Sequence, residues 1–160
     1  TKKGKFILVL RDCLDVVASV YRQALDYVDP SADFDQLSER NMKRWFEYNA
    51  EWLENRNKLD MLTVRYEDLI GKKEDVVKTI SEFIEVEVNE KTLKRVLHTT
   101  SFDFMKKHES KFGEQPEQWK VYNNFIRKGK SGEGKKMFNE AQLERYGELV
   151  EKYKKVGSRE

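Results

Sequence analysis

The segment KFILVLRD, residues 5–12, sets the class of fold this chain can adopt. Phe6 to Leu10 make an unbroken apolar run, the pattern of a parallel strand covered on both faces. A helix is predicted directly behind it. Asp12 stands where it can cap that helix, and Asp15 occupies the position of a capping-box acid. Val17, Val20, Tyr21, Ala24 and Leu25 recur at helical spacing as its buried stripe. YVDPSADF, residues 27–34, reads as a turn in which Pro30 breaks the helix. Arg11, where the strand ends, has two readings: a solvated strand terminus, or an anion site at the carboxyl end of a parallel strand.

A long helix is predicted from about Leu37 to Asn55, with Met42, Trp45, Asn49 and Trp52 at intervals of three and four. The tryptophans at that spacing are read as core. DMLTVR, residues 60–65, alternates and is β-rich, so it reads as a second strand that closes at Tyr66. Two shorter helices follow, one carrying Val76, Val77, Ile80, Phe83 and Ile84, the other Leu93, Val96 and Leu97. Residues 106–124 are charged and polar, with Gly113 and Pro116, and are expected to form a mobile loop. Asn139 caps a last helix with Gln142 three residues on, and Leu143, Tyr146, Leu149, Val150 and Tyr153 form its inner face.

The tally is about six helices and two strands, in an α/β chain read as one domain. Two parallel strands leave unpaired edges and uncovered faces, so a further segment or a partner chain is expected to complete the sheet. The start at Thr1 is read as a hint that something precedes it.

Charge excludes some functions. Lys and Arg number 31 against 29 Asp and Glu, a balance that lacks the clustered basic excess of a nucleic-acid binder. No apolar stretch approaches the length of a membrane span and no signal-like start is present, so no membrane partner is expected. A single cysteine, Cys13, excludes an internal disulfide and fits a reducing, cytoplasmic setting. Placed just inside a helix start it could carry a lowered thiol pKa, and it is read as incidental. No His, Asp and Glu grouping has metal-ligand spacing. His98, at a helix end, is read as structural, and His108, in the charged stretch, as solvated.

Three stretches carry candidate chemistry: RDCLDVVAS from Arg11 to Ser19, VRYEDL from Val64 to Leu69, and NFIRKGKSGEG from Asn124 to Gly134. The last surrounds Gly129, Gly132 and Gly134 with Arg127, Lys128, Lys130, Lys135 and Lys136. Glycines admit close approach of the backbone to a ligand, and a guanidinium beside an ammonium suits phosphate or sulfate. The Gly-x-x-x-x-Gly-Lys-Ser/Thr loop is absent, which disfavours a nucleotide kinase.

Taken in order with His98-Thr99-Thr100-Ser101-Phe102, these stretches resemble the cytosolic-type sulfotransferases over about Lys5 to Val156. That family moves a sulfuryl group from 3′-phosphoadenosine 5′-phosphosulfate (PAPS) to a hydroxyl or amine, releasing 3′-phosphoadenosine 5′-phosphate (PAP). The resemblance implies part of a P-loop-like three-layer fold, helix-rich, with two core parallel strands in this chain. It implies that Arg11 and Ser19 hold the 3′-phosphate and that Tyr66 approaches the adenine side. Thr100, Ser101, Phe102 and Met105 would line the adenosine pocket, with Phe102 on the base. Phe125, Ile126, Arg127, Lys128 and Gly129 would close over the 3′-phosphate.

Two departures stand out. The family's loop usually continues Arg-Lys-Gly-x-x-Gly-Asp-Trp, and here Glu133 keeps the acid while Gly134 replaces the aromatic anchor, which predicts a looser loop. The phosphosulfate loop with its Lys, and the histidine that takes the acceptor's proton, belong to the family's amino-terminal half and are not found in this sequence. The catalytic residues are therefore unknown, and the chain is expected to be catalytically incomplete alone. The alternative is a non-catalytic helical interaction module derived from such an enzyme. The acceptor, whether a small molecule or another hydroxyl or amine, cannot be read from the residues present.

Overall fold

A computed structural model describes residues 4–111, 126, 129 and 131–154. Strand β1 (Lys5–Leu10) pairs in parallel with β2 (Asp60–Arg65), in register from Lys5 opposite Asp60 to Leu10 opposite Arg65. Helices α1 (Cys13–Gln23) and α2 (Phe34–Glu54) form the crossover between them. After β2 come α3 (Tyr66–Gly71), α4 (Lys73–Phe83), α5 (Glu90–Thr99) and α6 (Phe102–Lys107), and the last described helix is α7 (Glu140–Lys152).

Local signals account for most of these boundaries. Asp12, Asp33, Asn89, Ser101 and Asn139 each accept a backbone amide three residues ahead, which satisfies one of the free donors of a helix start. Asn139 and Gln142 complete a reciprocal capping box. The amide of Gln142 also donates to Asp35 Oδ1 at 2.8 Å and to Ser38 Oγ at 3.1 Å, tying the start of α7 to α2.

The core sits between α1, α2 and α7. Phe46, Met42, Val17 and Cys13 are almost wholly buried, each large apolar side chain worth about 1.5–3 kcal/mol of transfer free energy. Phe46 is ringed by Trp45, Tyr146 and Tyr153, with ring centroids 4.9, 5.9 and 5.8 Å away. The inward residues of α2 are Leu37, Met42, Phe46 and Ala50, with Trp45 half-buried and Trp52 tilted against Phe6.

Several expectations are revised. The helix after β1 does not end at a simple turn: Ala24–Val28 continues it as one π-helical turn, and the helix ends before Pro30. Two helices escaped the periodicity reading, α3 and α6, because six residues are too few to establish a 3.6-residue pattern. The stretch expected as a loop from residue 106 is helical at its start. Lys106 and Lys107 close α6 and Glu109–Lys111 adds a 3₁₀ turn, since Ser101 caps a helix that charged residues then extend. The remainder of that stretch lies outside the described residues. His108 is not freely solvated: its ring stacks on Phe104 at 4.1 Å, with Nδ1 2.8 Å from the Phe104 carbonyl. His98 packs edge-on against the same ring at 5.1 Å.

Among the described residues the sheet has two strands. Ile7 and Val9 remain 40% and 49% exposed, so β1 has an apolar face these helices do not cover. No described helix is long and apolar enough to cross a membrane.

Candidate functional site

The parallel register decides the first contact of the site. Because Leu10 lies opposite Arg65, the residues that follow them, Arg11 and Tyr66, leave the sheet side by side. The Arg11 guanidinium lies over the Tyr66 ring at 4.4 Å from its centroid, a cation–π arrangement. Arg11 Nε is buried and has no hydrogen-bond partner among the described residues. A buried donor on a charged group without an acceptor costs about 1–3 kcal/mol or more, and an anionic acceptor at this position would recover that cost. Carboxyl ends of strands are where open α/β sheets hold ligands.

A second cluster lies at the start of α1. The Asp15 side chain, only 5% exposed, accepts from Ser131 Oγ at 2.8 Å, the Gly132 amide at 2.6 Å and the Gly134 amide at 2.7 Å. Burial pushes this carboxyl up. The Gly132 amide, the Ser131 hydroxyl, the Gly134 amide and the Arg11 charge outweigh it and hold the group below the ordinary carboxylate range. Glu67, on the first turn of α3, accepts from the Asp12 amide at 3.1 Å and from Ser131 Oγ at 3.3 Å. Asp12, Asp15, Glu67 and Ser131 thus knit the ends of β1 and β2 to the glycine-rich segment.

The third group is carried by the α5–α6 junction. Thr100 donates its hydroxyl to the Val96 carbonyl at 2.8 Å, and its own carbonyl accepts from Lys73 Nζ at 2.5 Å. Ser101 spends its hydroxyl on the α6 cap. Phe102, at the first position of α6, is 39% exposed, and Gly129 lies against its ring. Gly129 has φ +58°, and a Cβ there would fall 2.4 Å from Phe102 Cδ2, so the position needs glycine twice over. The Ile126 amide donates to Glu109 Oε1 at 2.5 Å, so residues 126 and 129 both rest on α6 and the turn behind it.

Of the twelve residues predicted for the site, the structure brings Arg11 to Tyr66 and Phe102 to Gly129. Ser19 lies one helical turn beyond Asp15 on α1 and is half-buried. Thr100, Ser101 and Met105 surround the α5–α6 junction, and Ile126 is seated on Glu109. Phe125, Arg127 and Lys128 lie outside the described residues. Sequence reasoning passed over the roles of Asp15 and Glu67. The signal for Asp15 was present: an acid in the first turn of a helix, beside an expected anion site, needs donors of its own.

Two expectations are corrected. Gly134 does not leave its turn without an anchor. It is buried, its amide is held by Asp15, and a Cβ there would fall 2.5 Å from the Leu14 carbonyl oxygen. Cys13 is not an activated thiol: it is 1% exposed, and burial followed by the Asp12 charge pushes its pKa well up. Among the described residues no cluster of His, Cys, Asp and Glu could hold a metal.

Comparison with known proteins gives the same direction. The sulfotransferase domain family model matches residues 1–157. Sulfotransferase 1A1 of Rattus norvegicus is 31% identical over 157 residues, covering 91% of this chain and 54% of the relative. Sulfotransferase 1 family member D1 of Mus musculus is 29% identical over 156 residues, covering 90% of this chain and 52% of its own length. The chain therefore spans about half the length of the curated relatives it matches. Among solved structures, mouse sulfotransferase SULT7A1 complexed with PAP superimposes with a TM-score of 0.76 at 24% identity, over 92% of this chain and 57% of that one. Retinol dehydratase in complex with androsterone and PAP gives 0.72 at 21% identity, over 93% and 47%. At these identities the structural likeness speaks for the fold.

Proposed function

This chain belongs to the sulfotransferase family, and from that premise we propose that it supplies the 3′-phosphate and adenosine side of a PAPS site. The enzyme would transfer a sulfuryl group from PAPS to a hydroxyl or amine acceptor and release PAP. The observation that carries this reading is Arg11: a guanidinium at the end of a parallel strand, stacked on Tyr66, with Nε buried and without a partner among the described residues. Such a donor is prepared for an anion. Proteins of this fold have been crystallised with PAP.

The residues present fit that nucleotide. Arg11 and Ser19 would bind the 3′-phosphate, the Arg by a charge-assisted pair and the Ser by its hydroxyl. Tyr66 would flank the adenine side. Thr100, Ser101, Phe102 and Met105 would line the adenosine pocket, with the exposed face of Phe102 taking the base. Phe125, Ile126, Arg127, Lys128 and Gly129 would cover the 3′-phosphate. PAPS, when bound, supplies the activated sulfuryl group. The residues here hold and orient it, and in an in-line transfer, positioning and charge stabilisation account for most of the rate. The groups that move the acceptor's proton and hold the 5′-phosphosulfate would come from a further segment or a partner chain. That same element would cover the exposed Ile7 and Val9. We take residues 1–160 as one sulfotransferase-type domain working in the cytoplasm.

Calorimetric titration with PAP tests this. Arg11→Ala should weaken binding by about 1.5–3 kcal/mol, the worth of a hydrogen bond to a charged group, or about 10- to 150-fold. Equal affinity in wild type and variant would refute the assignment. It would favour the second reading, a helical interaction module, for which the uncovered apolar face of β1 is the supporting observation.

A further inference from the structure

We propose that Asp15 is the positioning residue of the nucleotide site: by holding Ser131, Gly132 and Gly134 it fixes the chain just beyond Gly129. The inference rests on the nucleotide reading above and adds to it a residue that does not touch the ligand.

Three observations carry it. First, Asp15 is released from helix capping. Its position suits a capping box, yet the Asp12 amide that a capping-box acid would take is held by Glu67 at 3.1 Å. Both Asp15 oxygens are turned to the glycine-rich segment instead, Oδ2 to Ser131 and Gly132, Oδ1 to Gly134. Second, the contact leaves no room for a side chain at position 134. A Cβ on Gly134 would fall 2.5 Å from the Leu14 oxygen and 2.6 Å from the Asp15 nitrogen, so the turn lies directly on the first turn of α1. Third, the clamp is close to the ligand-facing part. Gly129 touches the Phe102 ring, and two residues of chain, at most about 7 Å, separate it from Ser131. The Asp15 clamp and the Phe102 contact therefore hold the two ends of one short stretch, and releasing either end frees it.

The test uses the full-length protein, titrated by calorimetry with PAP and with 5′-AMP, which lacks the 3′-phosphate. Asp15→Asn should reduce PAP affinity by at least about tenfold, the scale of one lost hydrogen bond to a charged group, and leave 5′-AMP affinity unchanged. Hydrogen exchange of the ligand-free variant should show the Gly132 and Gly134 amides losing protection. A role in folding alone would lower both affinities alike, and that result overturns the proposal. Wild type with a preference for PAP that Asp15→Asn keeps would also overturn it, with the nucleotide reading intact. Wild type with no preference for PAP would overturn the nucleotide reading and this inference together. If Asp15→Asn does not fold, Ser131→Ala decides: it removes one donor and should lower the PAP to 5′-AMP ratio in the same direction, and an unchanged ratio refutes the positioning role.

Discussion

Replacing Gly134 by alanine adds one methyl group and tests the docking of the glycine-rich turn on α1. The new carbon would stand 2.5 Å from the Leu14 oxygen and 2.6 Å from both the Asp15 nitrogen and the Leu14 carbonyl carbon. All three belong to the backbone of the first helical turn, which cannot rotate aside as a side chain can. The overlap with an ordinary contact near 3.4 Å is about 0.9 Å, more than local bending absorbs, so the turn must lift. Lifting it stretches the Gly132 and Gly134 bonds to a carboxylate that stays buried. Overpacking costs about 1–3 kcal/mol, and weakening a hydrogen bond to a buried charge adds about 1.5–3 kcal/mol. The two overlap, so the expected loss is about 2–4 kcal/mol, or roughly 4–16 °C in melting temperature for a chain of this size. Gly147 is the control. It lies exposed within α7, and a methyl added there would meet nothing within 4 Å, so alanine at that position should stabilise by about 0.5–1 kcal/mol. Chemical unfolding of the two variants beside wild type is the assay. The same substitution should act with opposite sign at the two sites. Gly134→Ala within about 0.5 kcal/mol of wild type, the scatter of neutral surface changes, would refute the docking geometry.

Other outcomes follow from the same contacts. Gly129→Ala should destabilise through both its φ of +58° and its collision with Phe102; adding Phe102→Ala removes only the collision. A double-mutant cycle in unfolding free energy should therefore show partial rescue of about 0.5–3 kcal/mol, and strict additivity would mean the ring and the glycine do not meet. Asp15 has a carboxyl held below its ordinary value of 3.8, so its stabilisation is present above that pH and is lost as pH falls through the lower folded value. The stability difference between wild type and Asp15→Asn, measured in urea at a series of pH values, should be largest above about pH 5 and shrink in acid. A difference that grows in acid would reverse the assignment. Comparing the two proteins removes the contributions of Asp29 and Glu85, whose carboxyls also lie below their ordinary values.

Local chemistry made much of this molecule legible. The strands at Phe6–Leu10 and Asp60–Arg65, the caps at Asp12 and Asn139, and the inner face of α7 follow from apolar periodicity and from side chains that satisfy nearby amides. These are interactions over three or four residues, and their signals lie within a few positions of one another. Arg11 could be singled out for the same reason, as a charge placed where an apolar run stops. Six-residue helices such as α3 and α6 were not legible, because one and a half turns carry too little pattern.

What the sequence alone settled, then, was the longer elements and the kinds of residue at their ends. Tertiary structure alone decided which of those ends meet. The strand register set Arg11 on Tyr66, though 55 positions separate them. It also turned Asp15 from a capping acid into the clamp of a segment more than a hundred residues away, and gave its capping duty to Glu67. No local pattern encodes such a choice, because a buried carboxylate takes whichever donors the folded chain brings to it, and only packing of α1, β2 and the glycine-rich turn determines which those are.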